Sequence, residues 1–186
     1  MVFSDEQLQQ IIQGELVGDF FPYFGGTNKQ VIFYLKELVG RLERSRLLTF
    51  EADFRSYGSG YASYVDVFCY KKDGSSTKNV NGTLWIDGIS IYLCKHAPVA
   101  IFGPNEKTKG SGHGSYGILS ASDVGEIPSG SWDVELKFIK EKLAEYKIEF
   151  LTKRVIKKQL PFETKIRTVL NEDGYKVFDA LFYWED

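Results

Sequence analysis

The chain has 186 residues, is 43% hydrophobic and 26% charged, and carries a formal net charge of −2. That is enough chain to bury one core without help from a metal or a disulfide, and the balance of charge does not favour binding that rests on phosphate neutralisation. No 18-residue apolar run occurs, and Cys69 and Cys94 sit singly inside apolar runs, so a membrane span, a zinc site and nucleic-acid binding are all unexpected.

Ser4 and Gln7 have the spacing of a capping box, with Phe3 and Leu8 placed as a hydrophobic staple. Leu8, Ile11 and Ile12 then form one apolar face, which Gly14 or Gly18 can end. The stretch "FFPYFGGT", residues 20–27, reads as an aromatic loop. Thr27 and Gln30 form a second capping box, and Val31, Leu35, Leu38 and Leu42 predict a long amphipathic helix over 28–44.

The period then changes to two. "LLTFEADFRSY" and "SYVDVFCYKK" predict strands, with Gly58 and Gly60 turning between them. Val65, Val67 and Cys69 share one face of the second; Tyr64, Asp66, Phe68 and Tyr70 share the other. "TLWI" and "ISIYLC" flank Asp87-Gly88, a dipeptide suited to a type I′ hairpin. "PVAIFG" is a further strand, and residues 103–117 read as a flexible Gly-rich loop. Ser131 is the expected N-cap of a helix over 131–146 whose stripe is Leu136, Ile139, Leu143 and Tyr146. "IEFL" predicts a short strand. "YKVFDALFYW" predicts the second arm of a final hairpin, or a helix capped by Asn171. The expected fold is α+β: one domain, two N-terminal helices, an antiparallel meander of about five or more strands, and a later helix.

"GHGSYG", residues 112–117, has the glycine spacing of a dinucleotide fingerprint. Such a loop must leave a parallel strand and open into a helix, and "ILSASDVGEIPSG" has no helical period. No P-loop or G-x-S-x-G elbow occurs, His96 and His113 have no paired ligand spacing, and "ETK" at 163–165 lacks a strand period. Asn81-Gly82-Thr83 matches a glycosylation sequon, but the opening "MVFSDEQLQQ" shows no secretory leader, and a cytoplasmic location is expected. The basic run "LTKRVIKKQL" at 151–160 reads as a solvated surface. The residues therefore predict no catalytic group, no cofactor and no metal.

Glu51 and Asp53 share one strand face, and a neighbouring strand can bring Asp66 beside them. With His113 they form the dispersed site of the enzyme reading, a metal-dependent hydrolase or nuclease. A sensor with an apolar pocket is a third reading. The aromatic loop and the tail "LFYWED" supply rings of the kind that anchor protein interfaces.

A single slightly acidic, aromatic-rich domain without catalytic residues, ending in "VFDALFYWED", resembles the small bacterial α+β immunity proteins that neutralise toxins. The resemblance lies in general build and carries over no residue. It implies a non-catalytic cytoplasmic protein whose partner is another protein, a toxin domain. Independently of the resemblance, the long adaptable Gly-rich loop and the acidic positions after it make His113, Tyr116, Asp123 and Glu126 the expected partner-facing residues.

Overall fold

The computed structural model describes residues 3–58, 60–110, 114–168 and 174–185. Helix α1 (Asp5–Ile12) and helix α2 (Asn28–Leu42) each begin in a complete capping box, Ser4 with Gln7 and Thr27 with Gln30. Each box satisfies backbone N–H groups that the first turn leaves without an intrahelical partner. Strand β1 (Leu48–Asp53) leads through a 3-10 turn at Ser56–Gly58 to β2 (Tyr61–Ala62) and β3 (Tyr64–Lys71). Then come β4 (Thr77–Val80), β5 (Thr83–Cys94) and β6 (Val99–Lys109). Helix α3 (Asp133–Glu145), β7 (Glu149–Phe150), α4 (Lys153–Ile156), α5 (Val177–Leu181) and β8 (Trp184–Glu185) complete the order.

The main sheet runs β1-β3-β5-β6-β7, with β4 pairing the start of β5, from Thr83 to Ile86. All its pairs are antiparallel except β6 with β7. The α+β class holds, with helices on both faces of a mixed, largely antiparallel sheet. Val65, Val67 and Cys69 face a core closed by α2 and α3. Tyr64 faces the other core, closed by α1 and the C-terminal segment around α5. The alternation in β3 is therefore assigned correctly, and both of its faces are covered over much of its length.

Four details differ from expectation. Strand β5 passes through Asp87-Gly88 without turning, with Gly88 opposite Asn105. A Cβ on Gly88 would stand 2.4 Å from the Cys69 carbonyl oxygen and 2.6 Å from the Phe68 ring, so this glycine serves close approach rather than a turn. The hairpin lies upstream at Asn81-Gly82, where both φ angles are positive (52° and 80°) as a type I′ turn requires. Second, residues 103–109 are not loop but the second half of β6. Gly103 permits this because Leu119 and the Asp123 backbone pack where its side chain would be. Third, Trp132, not Ser131, is the N-cap of α3, and no side chain caps that helix. Lastly, the favoured final hairpin does not form: the tail makes the short helix α5, and β8 then pairs with β2. Asn171 lies outside the described residues.

Candidate functional site

The open end of the sheet face that carries Tyr64 forms a pocket of about 620 Å³. The antiparallel register sets Asp53 opposite Asp66 and Glu51 opposite Phe68, so the three carboxylates of the sequence reading line one concavity. Tyr57, Lys107 and Tyr116 join them there.

Asp66 is the floor, 3% exposed. Its Oδ2 accepts the Tyr57 hydroxyl at 2.8 Å and the Tyr116 hydroxyl at 2.7 Å. Behind Tyr116 runs a directional chain. Asn105 Nδ2 donates to Ser90 Oγ at 2.7 Å, and the Ser90 hydroxyl lies 3.0 Å from Tyr116 Oη. Once Tyr116 spends its proton on Asp66, Ser90 is left as the donor of that pair. Oδ1 of Asp66 is buried with no hydrogen-bond partner among the described residues. Burial pushes the Asp66 carboxyl up to about 6, although the Tyr116 and Tyr57 hydroxyls oppose the rise. Burial also raises the Tyr57 and Tyr116 hydroxyls, with the Asp66 charge adding to it, so both are donors and not bases at neutral pH.

The other two carboxylates are committed as well. Asp53 accepts the backbone N–H of Arg55 at 2.6 Å and of Tyr57 at 3.0 Å. These bonds hold Ser56 and Tyr57 in the left-handed region, at φ 51° and 60°, where a non-glycine residue is strained. Glu51 accepts hydrogen bonds from Lys107 and Lys109. Burial alone would raise its carboxyl, but the two lysines outweigh burial and lower it. Lys107 also lies over the Phe68 and Tyr116 rings, at 6.0 and 5.5 Å. Among the described residues no group of three His, Cys, Asp or Glu is placed to hold a metal ion.

The partner-facing residues of the sequence reading are not gathered. Tyr116 points into the pocket at Asp66. Asp123 accepts the Ser120 backbone N–H at 3.2 Å and closes its own turn. Glu126 pairs with Lys153 at 2.7 Å. His113 lies outside the described residues. His96 is buried against Tyr61, Nε2 to Oη 2.7 Å, and burial lowers its imidazole to about 4, which suits a structural role. Cys69 and Cys94 are buried free thiols, both raised by burial.

A second surface lies on the far side of the sheet. In "FFPYFGG" the loop divides its rings. Tyr23 is buried, its hydroxyl donating to the Cys94 carbonyl at 3.1 Å, and Phe20 packs on the core. Phe21 and Phe24 turn outward, 61% and 69% exposed, and Phe33 on α2 is 64% exposed. Phe21 and Phe33 line a mainly apolar cleft of about 460 Å³ with Pro22 and Tyr34. Sequence reading named this loop as interface material but not Phe33; its place off the Val31–Leu35–Leu38–Leu42 stripe was the available signal.

No protein-family model, curated protein or solved structure matches this chain.

Proposed function

We propose that the chain is a non-catalytic binding protein whose role is to bind and neutralise a toxin domain, with the aromatic ledge as the contact surface. One observation carries this reading: three phenylalanines, each more than three-fifths exposed, stand on a loop and helix whose neighbouring rings Phe20, Tyr23 and Tyr34 are buried or half-buried. Large apolar side chains held out in water by a packed scaffold stabilise nothing in the monomer, and rings of this kind dominate binding energy when they fill a partner's pockets. A cytoplasmic location fits that role; among the described residues no helix is long and apolar enough to cross a membrane.

The test immobilises the full chain and, beside it, a Phe21→Ser/Phe24→Ser/Phe33→Ser variant in lysate from the source cells. A protein held by the first and not the second, whose toxicity is relieved by co-expressing the chain, is the expected result. Equal recovery on both surfaces sinks the ledge. A captured protein with no toxicity to relieve sinks the neutralising role.

The enzyme reading draws support from the meeting of Glu51, Asp53 and Asp66 in one pocket. It is the weaker reading because two carboxylates there already serve hydrogen bonds from lysines or backbone, and the third lies beneath two tyrosines. General acid–base work needs a group within hydrogen-bond reach of substrate.

A further inference from the structure

We infer that the aromatic ledge is one end of a longer groove along α2, and that the groove takes an acidic protein segment bearing an apolar anchor. This rests on the binding-protein reading above and adds the chemistry of the partner. At the far end of α2 lies a second cleft, of about 550 Å³, where Arg41 and Arg44 face Lys142 and Tyr146 at the end of α3. The two clefts adjoin through a pair of tyrosines. Tyr34, which lines the apolar cleft, donates its hydroxyl to the Tyr146 carbonyl at 2.6 Å, and their rings stand 5.2 Å apart.

The charge at the two ends differs in kind. Lys29 and Glu37 on the apolar cleft offset one another in sign. In the second cleft Lys142 pairs with Glu145 at 2.6 Å, while neither Arg41 nor Arg44 forms an ion pair with a described residue. Glu145 lines the same cleft but is taken by Lys142, so two exposed guanidiniums stand there without an ion pair to a described residue, in a chain whose net charge is −2. Some of that charge offsets the C-terminal end of the α2 dipole, which accounts for about one basic side chain rather than a cleft of them. A guanidinium fork is matched by carboxylates, and steering by such a patch acts over roughly 10 Å at ordinary salt.

Spacing defines the occupant further. Phe33 and Arg41 are separated by about 12 Å along the helix axis, at 1.5 Å per residue. A partner would place its apolar side chain on Phe21 and Phe33 and its carboxylates on Arg41 and Arg44. That separation is about eight residues of helix or about four of extended chain.

The test uses three blocked peptides on the isotopically labelled full chain, followed by amide NMR shifts. All carry a Leu-Phe anchor; at the matching distance they carry three Glu, three Lys or three Ser. The Glu peptide is expected to move the Phe33 and Arg41 resonances together and to bind about tenfold tighter than the others. That advantage should shrink as salt rises and vanish in an Arg41→Glu/Arg44→Glu variant. Equal or tighter binding of the Lys or Ser peptide at Phe33 overturns the acidic-partner inference but leaves the ledge standing as a docking surface. No shift at either residue with millimolar Glu peptide also overturns it. The binding-protein reading is then decided separately, by whether the wild-type surface captures a protein that the phenylalanine variant does not.

Discussion

The Asp66 pocket and the α2 groove are both concave and both mix rings with charge, yet they differ in what is left over. In the pocket most polar groups answer one another: Glu51 takes two lysines, Asp53 two backbone N–H groups and Oδ2 of Asp66 two tyrosine hydroxyls, while Oδ1 of Asp66 is left buried without a partner among the described residues. In the groove and on the ledge beside it three rings face outward, and two guanidiniums form no ion pair with a described residue. Composition alone would have ranked the pocket first, because carboxylates and tyrosines are the material of active sites. Satisfaction ranks them the other way. Groups already paired hold a structure together; exposed groups that gain nothing in the monomer are available to something else.

The sharpest way to break this contrast is the ledge itself. The Phe21→Ser/Phe24→Ser/Phe33→Ser variant should weaken capture of the partner by about 100-fold or more, the cost of losing two or more aromatic anchors. Its melting temperature should hardly move, because exposed substitutions usually cost within about 0.5 kcal/mol each. A large fall in melting temperature would mean that the rings support the fold after all.

Next in size is the pH response of Asp66. Its carboxyl sits at about 6 in the fold against an ordinary value of 3.8. The folded state therefore holds this proton more tightly than the unfolded chain does. The resulting stabilisation is complete below about pH 4, declines as pH rises, and is gone above about pH 6. Between pH 3.5 and 7.5 the wild type should lose roughly 3 kcal/mol relative to Asp66→Asn, read from urea unfolding at each pH. A difference between the two proteins that stays flat with pH would place Asp66 in a wetter setting than the pocket shows.

Smaller effects are expected from its donors. Tyr57→Phe or Tyr116→Phe removes one hydrogen bond to the ionised carboxylate and should cost about 1.5–3 kcal/mol at pH 8. Each loss should shrink at pH 4, where the carboxyl is neutral and the bond weaker. The smallest effect belongs to Glu51→Gln, at most about 1 kcal/mol, because the ion pairs with Lys107 and Lys109 are partly in water. Here the sign reverses. A lowered carboxyl contributes stability above its ordinary range, and that contribution fades as pH falls through its folded value.

Much of this architecture was legible. Both capping boxes, the α2 stripe and the alternation of β3 were read from side-chain spacing, since each depends on neighbours in sequence. Antiparallel neighbours and a period of two were enough to foresee that Asp66 can meet Glu51 and Asp53. Tyr57 and Lys107 could not be placed in the same way. One reaches the pocket through a left-handed turn held by Asp53, the other through a strand that sequence composition disguises as loop. Gly88, Gly103 and Pro104 carry the usual marks of turns. In each of the two glycines, contact from a distant segment decides the matter: Phe68 over Gly88, Leu119 over Gly103. The C-terminal run was ambiguous because it is apolar on every face, and its outcome depends on β2 accepting β8 as a partner.

The shared oxygen on Asp66 has a kinetic corollary. It fastens Tyr57, in the connection from β1 to β2, and Tyr116, beyond the end of β6, so one knot closes two loops that chain distance would leave independent. Untying it at either tyrosine slackens the other, and the amides around both should exchange with solvent as a single breathing unit while the helices on the opposite face of the sheet stay protected.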